Sequence, residues 1–419
     1  MRQSQLFTKT RKEIPADESA KNAQLLIRAG YVHKEMAGVY AYLPLGLRVL
    51  EKIKTIVREE MSSVGASELL MTTLQQKELW DQTGRWTDDV VDIWFKSSLK
   101  AGGDVGLAWS HEEPIGNMMK NYIASFRDLP VFVHQFQTKL RNELRAKSGV
   151  MRGREFLMND MYSFCLGEED HEKFYTLAGE AYTRVFERLG IGEDTFMTFA
   201  SGGAFTEFSH EFQTITDAGE DTIYLNREKG IAINSEVLSE DTLKSLGVSR
   251  DDLEEIKTAE VGNIFNFGTK KAESLDLYYT DESGERIPVW MGSYGIGVTR
   301  LMGVLVEKFA DEKGIVWPKN TAPFIVHLVG LNGDDTEIRD YTDGIYESLT
   351  KQGVEVFYDD RNARPGEKFA DSDLIGIPYR VVVSRKTKDE GKFEVVERIT
   401  GDVRFLSEEE LFADFVTEA

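Results

Sequence analysis

The chain has 419 residues, 41% of them hydrophobic and 29% charged, with a formal net charge of −22. That is a folded, water-facing composition with chain enough for two or three cores, and its acidity argues against a general nucleic-acid coat while leaving local phosphate-binding patches open. The single Cys165 excludes an internal disulfide framework and suits a reducing cytosol; six histidines and one thiol show no zinc spacing, and neither a signal core nor a membrane-length run occurs, so a cytoplasmic protein without a membrane partner is expected.

In chain order, residues 18–29 read as a helix closed by Gly30. Leu50, Ile53, Val57, Met61 and Val64 keep helical spacing through 47–64, and Gly65 ends that helix. Short strands are expected at 67–71, 92–95 and 106–110, and a helix over 113–125. From 131 the pattern alternates: Phe132, His134, Phe136, Thr138 and Leu140 share one face, while Val131, Val133, Gln135, Gln137, Lys139 and Arg141 share the other. Such a strand is half core and half site floor. The return segment 155–164 is β-rich and pairs with it as a hairpin. Between them lie five cations, Arg141, Arg145, Lys147, Arg152 and Arg154. Arginines fixed at a hairpin tip suit bidentate recognition of phosphates and carboxylates, which points to nucleotide chemistry.

A helix follows near 172–189, then a polar loop opened by Gly202 and Gly203, a segment SHEFQ at 209–213, and a charged, helical surface excursion over 236–256. A strand at 288–293 runs into YGIGVTR, which opens a helix to about 310. A Gly-x-Gly turn alone is a weak phosphate signal, but a helix N-terminus offers free N–H groups, and Arg300 adds a fixed charge there. Composition shifts at WPKNTAP, 317–323. Beyond it strands and helices alternate at 324–329, 336–352, 354–358, 367–375 and 380–383, followed by strands around 393–399 and a terminal helix. That half reads as a compact α/β domain, and the first half as α+β on an antiparallel sheet.

Several segments in this order resemble bacterial-type prolyl-tRNA synthetase, a class II aminoacyl-tRNA synthetase. GVYAYLPLGLRVL at 38–50 is similar to that family's opening motif, and WSHEEP at 109–114 to its threonine-x-glutamate proline loop. LRNE with MRGREF resembles the arginine pair of motif 2; SHEFQ, FNFGTK and MGSYGIGVTRL resemble the pocket segments and motif 3; and YDDRNARPGEKFADSDLIGIP at 358–378 resembles the anticodon-binding module. The resemblance implies a class II catalytic domain over 1–318 (motif 1 about 47–73, motif 2 about 131–164, motif 3 about 288–310) and an anticodon-binding domain over 319–419. It further implies ATP-dependent activation of L-proline, with substrate-bound Mg2+, transfer to tRNA(Pro), and a homodimer.

By the same resemblance Arg141 bridges the α-phosphate and the substrate carboxylate, with Arg300 as the second catalytic arginine. Glu143, Arg152 and Phe156 hold ATP alongside these two. Ser110, Glu112, Arg141 and His210 hold proline, whose secondary ammonium offers two N–H donors to a carboxylate and a hydroxyl. His111 and His134 read as structural; Arg154 reads equally as a ligand or a solvated charge. Phe205, Phe208 and Phe212 are pocket wall or plain core. Asp359, Asp360, Arg361 and Lys368 are anticodon candidates in a run that would otherwise be a solvated face. No resident metal site is expected.

Four departures stand out. Only the 226–260 excursion occupies the place of the editing insertion, so a cis-editing domain is expected to be absent. Thr72 stands where class II enzymes carry a proline, Phe205 and Thr206 replace an expected glycine pair, and Ser293 replaces a frequent cysteine. Two other classes compete: a non-catalytic tRNA-binding paralogue, which would lose motif arginines first, and an adenylating ligase with another acceptor, which would have no use for the C-terminal module.

Overall fold

The computed structural model describes residues 1–201, 205–206 and 208–416; the polar loop expected at Gly202 and Gly203 lies outside them, as does the side chain of Phe208. The described chain falls into two compact units, one of Glu35–Tyr40 and Ile53–Val304, the other of Met1–Lys34, Ala41–Lys52 and Leu305–Ala419.

The first unit is built on nine strands: β1 (Ser67–Glu68), β2 (Val131–Leu140), β3 (Glu155–Cys165), β4 (Thr195–Ser201), β5 (Phe208–Ile215), β6 (Asp221–Asn226), β7 (Ile231–Asn234), β8 (Glu254–Gly268) and β9 (Trp290–Gly297). Their order is β5-β4-β7-β6-β8-β9-β3-β2-β1, and β8 is long enough to pair with β5 as well as with β6. Pairing is antiparallel except for β1 with β2 and β7 with β4. The hairpin expected from the 131–164 alternation is present, its register running from Val131 opposite Phe164 to Leu140 opposite Glu155. Its loop base is clasped by the Ala37–Gly38 turn, whose carbonyls accept from Arg154 Nη1 (2.6 Å) and the Arg154 backbone N–H (2.7 Å). Gly38 has φ +75°, and a Cβ there would lie 2.4 Å from that of Ala146, so only glycine fits.

Two helices flank the site: α1 (Glu112–Met119) follows the WSH segment, and α2 (Glu168–Arg188) covers the sheet. The amphipathic segments 18–29 and 47–64 are helices Lys21–Arg28 and Pro44–Ser63. The excursion over 236–256 is helical only in short pieces, two single 3-10 turns at Ser235–Val237 and Arg250–Asp252 and one α-helix, and it ends in a strand. Between β7 and β8 it holds one α-helix, Glu240–Leu246, and its apolar residues Leu243 and Val248 pack with Tyr224 and Ile233 of the neighbouring strands. Charge on the outer positions gives the segment the look of a free surface helix.

The second unit carries a five-stranded sheet of β10 (Val326–Gly330), β11 (Val356–Asp359), β12 (Tyr379–Val383), β13 (Phe393–Glu397) and β14 (Val403–Leu406), in the order β11-β10-β12-β13-β14. The first three are parallel, with helices Thr336–Lys351 and Pro365–Ile375 as crossovers, as the strand–helix alternation predicts. A short helix at Arg385–Glu390, held by a Ser384 capping box, adds to the predicted elements. The N-terminus belongs to this unit: the Met1 amine donates to Val356 O (2.8 Å), and the Tyr358 N–H returns a bond to Met1 O (2.9 Å).

Tyr31 is fully buried in the second unit, donating to Ile375 O and accepting from Trp317 Nε1, both at 2.8 Å. Replacing it with phenylalanine removes both bonds and orphans the indole N–H. A loss of about 1–3 kcal/mol in urea unfolding, at unchanged m-value, is expected.

Candidate active site

Side chains alternate along β2 and β3, so one face of the hairpin presents Lys139 and, just past the strand, Arg141, against Phe156, Met158, Asp160 and Tyr162. Strand β9 adds Ser293, Gly295 and Gly297, and β8 adds Glu260 and Phe265. Together they line a cavity of about 280 Å³, near the lower end of small-molecule sites. The strand face expected to be floor is floor, and Gln135 and Lys139 on it are each only 1% exposed.

The cations around this cavity are held unequally. Arg141 donates from Nε to Trp109 O (3.4 Å) and lies over the Phe156 ring, 5.2 Å from its centroid. Among the described residues it has no ion-pair partner, and burial together with Arg300 pulls its pKa below the usual arginine range. A guanidinium so placed favours an incoming anion. Arg300, in the first turn of α3 (Val298–Phe309), donates from Nε to Met151 O (2.8 Å) and from Nη1 to Glu260 O (2.5 Å) and Oε2 (3.2 Å). A Cβ on Gly297 would meet that of Arg300 at 3.1 Å, so the glycine gives this arginine its room. Arg152 pairs with Glu220 (2.8 Å) and Glu143 (3.3 Å). Arg154 is neither ligand nor solvated charge here: with its bonds to Ala37 O and Glu143 O (3.1 Å) it staples the loop.

At the other end, Ser110 and Glu112 are 6% and 2% exposed and both line the cavity. Ser293 Oγ donates to Glu112 Oε1 (3.3 Å), so the hydroxyl in place of a thiol orients the carboxylate. Behind it, Arg85 lies 3.5 Å from Glu112 Oε2 and donates twice to Glu113 at 2.9 Å. Its guanidinium stacks on Trp109 (4.7 Å) and Phe205 (4.8 Å). Phe205 therefore remodels this wall, packing also on Phe265 at 4.9 Å between centroids. Sequence reasoning gives Arg85 and Ser293 no role in the site; only their contacts across the fold reveal one.

His111 faces away from the cavity, with Nε2 3.1 Å from Thr72 O and Nδ1 2.5 Å from Lys139 Nζ, and burial and Lys139 lower its pKa to about 4. His134 Nδ1 meets Asn159 at 3.0 Å. Both histidines have structural partners. His210 is not brought to the cavity. Its Nδ1 lies 2.8 Å from the Tyr175 hydroxyl of α2, and its neighbour Glu211 lines the cavity instead, because successive residues of β5 face opposite ways.

Glu211 accepts from Gln213 and Asn234, each at 2.9 Å, and burial and then Glu260 raise its pKa from an ordinary 4.5 to about 8. Among the described residues no three His, Cys, Asp or Glu side chains converge as a metal cage. Two carboxylates, Glu211 and Glu260, in the same cavity as the arginines do fit Mg2+, which takes one or two carboxylates and completes its shell with substrate oxygens and water.

The four anticodon candidates lie at and after β11. Asp359 and Lys368 are buried: Lys368 donates to Gly330 O (2.6 Å) and Asp359 O (3.1 Å), and Asp359 pairs with Arg361 (2.7 Å). Asp360 accepts from Ser4 N (2.9 Å) and Oγ (2.7 Å), while Arg361 also reaches Asp371 (2.8 Å). The run that reads as a solvated face is largely an internal ion network.

An antiparallel sheet whose hairpin and following helix-start bring arginines to one cavity, with a separate α/β unit, defines a class II aminoacyl-tRNA synthetase. The tRNA synthetase class II core domain (G, H, P, S and T) matches residues 95–309, and the Anticodon binding domain matches 325–418. Proline--tRNA ligase of Parvibaculum lavamentivorans is 38% identical, with 99% of each chain covered, and that of a Wolbachia species from Drosophila simulans is 36% identical over the whole of both. The chain belongs to the proline--tRNA ligase family, in a short form without an editing insertion. In fold it resembles Giardia lamblia prolyl-tRNA synthetase solved with prolyl-adenylate (TM-score 0.77, 18% identity, 94% of this chain and 77% of that one). It also resembles the Cryptosporidium parvum enzyme solved with L-proline and AMP (TM-score 0.74, 16% identity, 95% and 75%).

Because the folded pKa of Glu211 is raised to about 8, the native state holds a proton that the unfolded chain has released between pH 4.5 and 8. Stability therefore falls as pH rises through that window, by at most about 1.4 kcal/mol for each step of one in pH. Glu211→Gln should flatten the decline in Tm between pH 6 and 9 measured without divalent ions. An unchanged slope would exclude Glu211 as its source.

Proposed function

We propose that this chain activates L-proline with ATP to give prolyl-adenylate and pyrophosphate, then transfers the prolyl group to the 3′-terminal adenosine of tRNA(Pro). The observation that carries this reading is Arg141: a half-buried guanidinium without a carboxylate partner among the described residues, sharing one cavity with Glu112 and Arg300.

Attack of a carboxylate on an α-phosphate needs alignment and charge neutralisation more than proton transfer. Arg141 supplies both by spanning the proline carboxylate and the α-phosphate, with Phe156 beneath it as the surface on which adenine stacks. Glu112 accepts from the secondary ammonium and Ser110 offers the second acceptor; Ser293 and Arg85 fix the Glu112 carboxylate. Trp109, Phe205 and Phe265 supply apolar surface for the pyrrolidine ring. His210 acts from behind, holding β5 through Tyr175. Arg152 and Arg300 take the β- and γ-phosphates, with Glu143 steadying the loop. Mg2+ carried by ATP would be held by Glu211 and Glu260 and would neutralise polyphosphate charge.

In chain order we assign 1–318 to the catalytic domain and 319–419 to the anticodon-binding domain, although Met1–Lys34 and Ala41–Lys52 fold within the compact unit that carries the second. In the latter, Asp360 and Arg361 are the residues offered to anticodon bases, with Asp359 and Lys368 fixing Arg361 from below. Leu70 and Leu74, 74% and 56% exposed beside motif 1, support a homodimer. No helix among the described residues is long and apolar enough to cross a membrane, and a cytoplasmic place fits a translation enzyme with one buried thiol.

Arg141→Ala should lower proline-dependent ATP–pyrophosphate exchange by about a thousandfold or more at unchanged Tm, since the interaction strengthens in the transition state. Near-normal exchange would remove the assigned role, and exchange without transfer to tRNA(Pro) would favour a ligase with another acceptor. Each methylene lost from a substrate discriminates by only about 1–3 kcal/mol. The purified enzyme at high alanine should therefore form alanyl-tRNA(Pro), detectable by acid-gel separation; its absence refutes that expectation.

A further inference from the structure

Arg152 and Arg300 flank a side cavity of about 60 Å³, lined also by Glu220, Asp221 and Glu260. They are fixed by different chemistry. Arg300 is held chiefly by two backbone carbonyls, which carry no net charge and stay in place when an anion arrives. Among the described residues the Arg152 guanidinium is held by side-chain carboxylates, those of Glu220 and Glu143, on its two terminal nitrogens. Glu220 is the closer partner, and it is tied to the same loop a second time: Ser148 Oγ donates to its Oε1 at 2.7 Å. The turn that carries Glu220 packs directly on β8, where a Cβ on Gly219 would stand 2.0 Å from Thr258 O. Glu220 is the more enclosed partner, its side chain 19% exposed against 44% for Arg152.

We propose that Glu220 is a positioning residue for the nucleotide's distal phosphate. It parks the Arg152 guanidinium at the mouth of the side cavity, surrenders it to the terminal phosphate of ATP, and takes it back as pyrophosphate leaves. One guanidinium edge cannot serve Glu220 and a phosphate at once, and the two anions repel each other at that range. The carboxylate therefore competes with substrate and with product alike. Glu143, on the other nitrogen, keeps Arg152 oriented during the exchange. This inference rests on the reading of ATP as the substrate of the main cavity.

The test is Glu220→Gln in the full-length protein, which keeps the size of the side chain and an acceptor for Ser148 but removes the charge. A partly exposed ion pair sets the scale, so KM for ATP in pyrophosphate exchange should fall by about two- to fivefold. Inhibition by pyrophosphate should strengthen by a similar factor, with KM for proline unchanged. A non-hydrolysable ATP analogue titrated calorimetrically without proline should bind correspondingly tighter. If Glu220 only ordered the loop, the same substitution would leave KM for ATP unchanged or raise it, and either result overturns the proposal. Exchange absent from the wild-type protein would instead overturn the ATP reading, and this inference with it.

Discussion

The site depends on one uncompensated charge. Arg141 sits at the end of β2, where the Leu140–Glu155 register closes the ladder, and its guanidinium makes one long hydrogen bond, to the Trp109 carbonyl. Half-burying a guanidinium with no acid partner among the described residues costs free energy, and a fold retains it only where the surrounding structure is over-determined. Here it is over-determined: the loop base is stapled by Arg154, the turn below admits only glycine at 38, and the strand face beneath is a satisfied network of Gln135, Asp160, Tyr162 and Lys139. The stability of the sheet holds the Arg141 guanidinium open to an incoming anion. Catalysis by alignment requires that order of events, because a partner already present would have to be expelled at the moment of binding.

The amino-acid end uses the opposite arrangement. Glu112 is met by Arg85 and Ser293, which pair with it and orient it, with Glu113 taking most of the Arg85 hydrogen bonds. Arg85 in turn is covered by aromatic faces, which exclude water from the ion pair without competing for its donors. Phe205 serves twice, as lid on that guanidinium and as wall of the cavity. The replacement of an expected glycine pair here therefore changes what encloses the ion pair, as well as the shape available to the imino acid.

Much of this is legible in the sequence, and the reasons differ by element. The hairpin can be read because a period of two fixes which residues share a face once the strand is granted. The crossover helices of the second unit can be read because they alternate with strands. For SHEFQ, alternation requires His210 and Glu211 to face opposite ways, but nothing local says which face meets the cavity; Tyr175 of α2, which takes His210, is 35 residues away in sequence. The 236–256 excursion misleads because its charges lie outward on short helical pieces and a strand end, while Leu243 and Val248 do the packing against Tyr224 and Ile233. In the Asp359–Lys368 run, charge density suggests solvent, yet opposite charges at these spacings satisfy one another inside the unit. The placement of Met1 on β11 rests on a contact 355 residues apart, which no window of sequence contains.

The acidic surplus of the chain acquires a role near the phosphates. Glu143, Glu220 and Glu260 all contact arginines that line the cavity, so much of the positive potential at that end is already balanced within the protein. A site of bare arginines would bind triphosphate and pyrophosphate tightly and alike, which lowers KM without speeding the chemical step and retards release of the product. On the proposed reading, with the unbalanced cation at the α-phosphate and the balanced ones at the leaving group, the strongest attraction is directed to the atom being attacked. The same division keeps Arg152 and Arg300 from repelling Arg141 at full strength, so the open guanidinium that defines the site is stabilised by the carboxylates around its far end.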